Sequence, residues 1–158
     1  MTYQSKRTLT AMAAGLILAI VYLAYALGQK APAPEDTKAW ALLMLAFIGI
    51  GVGAMIVIQI LFQILFSVGI AIKNPSKTDK EVERIVSATV VEDERDKLIA
   101  LKSTHFGYVF TGFGFIACLV TLALGGLPSL ALNMLLGTSC LGSLSEGVVS
   151  VILYERGV

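Results

Sequence analysis

Residues 39–72 read AWALLMLAFIGIGVGAMIVIQILFQILFSVGIAI, 34 consecutive positions without an Asp, Glu, Lys or Arg. A helix needs roughly 20 apolar residues to cross the hydrocarbon core of a bilayer, so this stretch alone selects a membrane protein. As one helix it would be about 51 Å long against a core of about 30 Å. It must therefore tilt, break or project from the bilayer. Its first part, about 39–66, serves as the span, and Asn74-Pro75 ends the run.

Three further stretches repeat the pattern on either side. Thr8 to Leu27 follows Lys6-Arg7 and is about 20 residues long. A secretory leader has an apolar region of only about 7–15 residues, so this reads as the first membrane helix. Pro32 and Pro34 break the connection that follows. Spans over about 106–124 and 129–154 enclose a turn at Gly125 to Pro128. Of the 12 Lys and Arg and 11 Asp and Glu in the chain, only Glu146 falls inside an apolar stretch.

Composition agrees. With 56% hydrophobic and 15% charged residues, a 158-residue chain cannot cover its outside for water, whereas lipid can cover it. The net charge of +1 implies no pull toward nucleic acid. The expected fold is all-α: a polytopic membrane protein in one domain, 1–158, with four transmembrane helices as two in–out–in hairpins plus a cytoplasmic amphipathic helix.

Lys and Arg counts orient it. The 73–104 loop carries seven of them, Lys6 and Arg7 stand at the N-terminus and Arg156 at the C-terminus, whereas the opposite side has only Lys30 and Lys38. The positive-inside bias then makes both termini and the large loop cytoplasmic. Tyr22, Tyr25 and Trp40 suit the outer interface, and Tyr108 and Tyr154 the inner one. Within the loop, Thr78 and Glu81 fit a capping box, and Val82, Ile85, Val86 and Val90 recur at helical spacing. The spacing predicts an amphipathic helix lying on the bilayer or docking a partner, and continuing through Leu98 and Leu101 into the third span.

Glu146 is the residue whose position asks for an explanation. It lies about 8 residues before Tyr154, roughly 10–12 Å from the inner boundary. An ionised carboxylate there is expensive unless paired or hydrated, which marks a functional group by default. Gln59 and Gln63, four apart on the second helix, and Ser143, three residues before Glu146, are its expected neighbours. Such a cluster could relay protons or bind a cation. The alternative is a protonated Glu that hydrogen-bonds a Gln to lock helix packing, or one that reaches to the interface.

Asp93 and Asp96 share a helix face, with His105 nine residues on, and so hint at a metal site. Zinc ligands come at tighter spacing. The segment also offers its own neutralisation, Asp93 to Lys97 and Glu92 to Arg95, so a solvated, self-paired face is the better reading. Cys118 and Cys140 would differ in depth by about 10 Å in a hairpin, too far for a disulfide. Small residues at Gly49, Gly51 and Gly53, at Gly112 and Gly114, and at Ser139, Ser143 and Gly147 permit close helix approach within the chain or across a dimer. No catalytic set, cofactor motif or phosphate loop is present in the sequence, so no enzyme is expected.

The run Asp93-Glu94-Arg95-Asp96-Lys97-Leu98-Ile99, leading into a Gly/Tyr-rich span, together with the closing Tyr154-Glu155-Arg156-Gly157, resembles an uncharacterised family of small four-span bacterial membrane proteins. The resemblance covers roughly the second half of the chain. It implies the bacterial inner (plasma) membrane and four helices, and no activity. Two functions follow as expectations. One is an oligomeric cation or proton transporter, channel or sensor using a cytoplasm-facing polar pocket around Glu146. The other is a non-catalytic scaffold or regulatory subunit of a membrane complex, binding its partner through the 78–104 helix.

Overall fold

The computed structural model describes residues 3–73, 81, 87 and 93–156. Four long helices run through them: α1 (Tyr3–Ala26), α2 (Thr37–Lys73), α3 (Glu94–Ala123) and α4 (Pro128–Arg156). Each is long and apolar enough to cross a membrane. The outward faces are apolar, with Ile17, Leu65, Leu101 and Leu119 all exposed. That is the reverse of a surface built for water, and it suits a lipid solvent.

α2 is unbroken over 37 residues, about 55 Å. Asp36 starts it by accepting the Ala39 N–H at 3.0 Å, an N-cap contact. Of the three ways a run this long could be accommodated, breaking is not the one used. Tyr3, at the start of α1, packs its ring on Phe62 and Phe66. The last turns of α2 therefore extend past the beginning of α1.

α3 corrects one expectation. Asp93 is an extended N-cap (φ −89°, ψ 176°), and its side chain and that of Asp96 each accept the other's backbone N–H. This capping box begins a new helix at Glu94, so helix does not run unbroken from the loop into the third span. That helix starts 12 residues before Phe106 and runs through Leu98 and Leu101 into the third span, with Ile99 and Ser103 buried and the charges outside. Thr78 and the Val82, Ile85 and Val86 face lie outside the described residues.

The α3–α4 turn is a Schellman motif. Gly125 takes a positive φ of 78°, its N–H bonds Leu122 O at 3.1 Å, and the Gly126 N–H reaches Thr121 O at 2.9 Å.

α4 is the central helix and touches each of the others, while among the described helices α3 packs on α4 alone. Contacts pair Thr104 with Glu146 and Thr121 with Met134, so α3 and α4 run antiparallel. Small residues bring these two helices close: a Cβ on Gly142 would lie 2.9 Å from Gly107 O, and Gly114 is covered by Thr138. α1 runs antiparallel to α4 through Ser5–Glu155 and Tyr22–Asn133, and to α2 through Arg7–Gln59 and Tyr22–Phe47. On those interfaces Gly147 receives Met12 and Gly51 receives Leu18. Gly49, Gly53 and Gly112 face open space within this chain.

The end of the bundle that carries the connections 27–36 and 124–127 is closed. Tyr22, Trp40 and Met44 form a buried cluster with Phe47, Leu132 and Leu136 packed against it. Trp40 Nε1 donates to Ala33 O, Ser129 Oγ to Pro34 O, and Tyr22 Oη to Asn133 Oδ1 at 2.7 Å. Trp40 and Tyr22 are therefore core residues, each 7% exposed, and not members of an interfacial belt. Tyr25 and Tyr108 do stay exposed.

Candidate functional site: a half-open cavity at the termini end

Beyond the closed cluster, a half-open cavity of about 810 Å³ lies between α1, α2 and α4 and reaches Ala100 and Ser103 of α3. Its floor is Tyr22, Phe47 and Leu136, and its opposite end, near the chain termini, carries Gln4, Arg7 and Tyr154. The wall between is mainly apolar, with Met12, Leu18 and Met55 among its members. Gln59, Ser143 and Glu146 all reach this same space. Three of the four residues singled out in the sequence thus share one cavity. Gln63 does not line it: its side chain is exposed, although Gln59 one turn earlier is half-buried.

The expected pairings differ, however. Gln59 Oε1 accepts from Arg7 Nε at 2.6 Å, an intramembrane-type amide–guanidinium contact linking α2 to α1. Glu146 turns to α3 instead, where Thr104 Oγ1 donates to its Oε1 at 2.7 Å. Its Oε2 occupies the room left by Gly107, whose missing Cβ would sit 3.0 Å away. Ser143 Oγ donates to Ser139 O within its own helix, at 3.2 Å. The cavity therefore contains one fixed cation and one carboxylate, each held from a different side.

Gln4 is a second addition. Its Nε2 is buried with no hydrogen-bond partner, and the side chain lines the cavity. An unpaired amide donor in apolar surroundings costs on the order of 1–3 kcal/mol, so its position beside Arg7 is informative. Ser5 and Glu155 tie the same end together, the Ser5 hydroxyl donating to Glu155 Oε1 at 3.3 Å.

Arg7, Gln4, Thr104 and Gly107 were not picked out from the sequence. Arg7 sits one residue before the charge-free run and so reads as outside the span, yet α1 begins at Tyr3 and carries it inside. Thr104 and Gly107 are recognisable only through the α3–α4 register.

The Asp93, Asp96 and His105 set is not brought together. Both carboxylates serve the capping box, and His105 lies about 13 Å further along α3. Among the described residues no group of His, Cys, Asp and Glu could hold a metal ion. Lys97 pairs with Glu94 at 2.9 Å and not with Asp93, which corrects the pairing expected from spacing. Cys118 and Cys140 are both free thiols. Compared with models of protein families, with curated proteins and with solved structures, the chain matches none of them.

Proposed function

We propose that this chain is a small multi-pass protein of the bacterial inner membrane that moves or senses protons through its half-open cavity, with Glu146 as the proton-carrying group. The termini and the 73–104 segment lie on the cytoplasmic side in this reading, and the helices form two in–out–in hairpins. The observation that supports it is the shared cavity: Glu146, Gln59 and Ser143 reach one space that ends beside the chain termini. A closed, dry interior would have favoured a packing role for Glu146.

Arg7 bears on the cargo. Its guanidinium stands in the same cavity as the carboxylate, and a second full positive charge is disfavoured there, whereas a proton taken up by Glu146 leaves a neutral carboxyl group and no second cation. The bacterial membrane follows from the resemblance of the second half of the chain, and the orientation from its Lys and Arg distribution. A homo-oligomer, most simply a dimer, fits the outward-facing Gly49 and Gly53.

The test is proton flux in proteoliposomes loaded with a pH-sensitive dye. Glu146→Gln should abolish an imposed-gradient flux while the helical circular dichroism stays unchanged. Flux at the unaltered rate in this variant would remove Glu146 from the pathway.

A further inference from the structure

Most hydroxyls in the spans are satisfied by their own helix. Thr111 and Thr121 donate to the carbonyl four residues back at 3.0 and 2.8 Å, and Ser139 and Ser145 do the same at 2.8 Å. Two hydroxyls depart from this habit. Among the described residues Thr8 and Ser150 make no side-chain hydrogen bond, and both line the cavity. Ser150 is only 9% exposed, so its hydroxyl lies inside the protein. It is not sealed there, since among the described residues Gln4 Nε2 is the one unpartnered side-chain polar atom that is fully enclosed.

The two hydroxyls belong to one level of the bundle. α1 and α4 are antiparallel, with Ser5 against Glu155 and Met12 against Gly147. Thr8 falls between these pairs on α1, and Ser150 falls between them on α4. Ser150 also follows Glu146 by four residues, about 6 Å along the same face. Thr8 and Ser150 therefore stand between Glu146 and the end of the cavity that carries Arg7 and Tyr154.

Toward the floor the pattern reverses. Ser143, three residues before Glu146, donates its hydroxyl to Ser139 O. Beyond it Leu136, Phe47 and Tyr22 close the space against the packed cluster.

A buried hydroxyl without a partner costs on the order of 1–3 kcal/mol, and ordered water is what satisfies such groups in folded proteins. A water needs polar partners and about 10–15 Å³ of room. Thr8 and Ser150 supply the first, and a cavity of about 810 Å³ supplies the second. We infer that water held by Thr8 and Ser150 carries protons between Glu146 and the termini end, so that Glu146 exchanges with that side alone. A hydroxyl both donates and accepts. Each can take a proton from the water on one side and release its own to the water on the other, with no charge left behind. The cargo rests on the reading of Glu146 as a proton carrier, whereas the one-sided hydration rests on the two hydroxyls.

The test is sided thiol labelling of the full chain in proteoliposomes, in a Cys118→Ala/Cys140→Ala background. A charged, membrane-impermeant methanethiosulfonate reaches a thiol only through water, and a protease-cleavable C-terminal tag marks the side of the termini. Thr8→Cys and Ser150→Cys should both react with reagent on that side and neither with reagent on the other. Ile17→Cys, at a lipid-facing position 63% exposed, should react from neither. The double variant Thr8→Val/Ser150→Ala should slow proton flux about tenfold, the rate equivalent of one lost hydrogen bond. Thr8→Ser, which keeps the hydroxyl, should leave flux unchanged. Labelling of Ser150→Cys from the opposite side, labelling from neither side, or unaltered flux in the double variant would overturn the route. Glu146→Gln separates the two readings. Flux abolished in Glu146→Gln with both introduced thiols unreactive defeats the water route alone. Thiols reactive from the termini side with unaltered flux in Glu146→Gln defeat the proton role alone.

Discussion

Thr104 donates its hydroxyl hydrogen to Glu146 across the α3–α4 interface, 2.7 Å from oxygen to oxygen. The sole charged residue of the fourth apolar stretch is thereby anchored to the third helix while still reaching the cavity. Thr104→Val should destabilise the fold by about 1–2 kcal/mol, since the carboxylate loses its interhelical donor. A double-mutant cycle with Glu146→Leu, read by denaturant unfolding in mild detergent, should return a coupling of roughly 0.5–2 kcal/mol. Additive effects would mean that the contact does not hold the two helices together.

The close approach of α3 and α4 depends on small residues at defined places. A Cβ on Gly142 would come within 2.9 Å of Gly107 O, a backbone atom that cannot swing aside. Gly142→Ala should therefore cost about 1–3 kcal/mol through forced separation. Gly137 on the same helix faces open space. Gly137→Ala should leave stability unchanged or raise it by up to roughly 1 kcal/mol, from helix propensity alone. Equal effects of the two, measured by thermal unfolding, would contradict this interface.

The closed end offers a prediction of its own. Tyr22 Oη bonds Asn133 Oδ1 at 2.7 Å, and Asn133 Nδ2 donates in turn to Ser129 O at 2.8 Å. Tyr22→Phe removes the first bond without changing the shape of the ring. A loss of about 0.5–1.5 kcal/mol is expected, together with a change in Trp40 fluorescence, because Tyr22 and Trp40 belong to one cluster. An unshifted Trp40 spectrum and unchanged unfolding would count against that contact.

Gly125 carries the positive φ of 78° in the α3–α4 turn. An L-residue pays roughly 1–2 kcal/mol for the left-handed region. Gly125→Ala should lower unfolding stability by about that amount, while Gly125→Asn should lose less, since Asn tolerates this conformation. A reversed order would rule out the Schellman geometry.

The sequence made the four helices legible because membrane crossing is a one-dimensional property: length and absence of charge suffice. Glu146 was visible for the same reason. Its partners were not. Thr104 is 42 residues away and becomes a neighbour only through the α3–α4 register, which is set by Gly107, Gly114 and Gly142 meeting their counterparts. Arg7 was hidden by the boundary convention, since a charge at the head of an apolar run looks external until the helix is seen to start at Tyr3. Gln63 shows the opposite failure. The i,i+4 spacing put it on the Gln59 face, but at this level of α2 the Tyr3 ring packs on Phe62 and Phe66, and the Gln63 side chain is exposed outside the cavity.

The bundle is fastened at both ends, by different means. Trp40, Ser129 and Asn133 bind the connections and helix ends into a block. The termini end is held by contacts between helices: Ser5 with Glu155, Arg7 with Gln59, and the Tyr3 ring on Phe62 and Phe66. The cavity is thus bounded by a packed cluster on one side and by polar and ring contacts on the other.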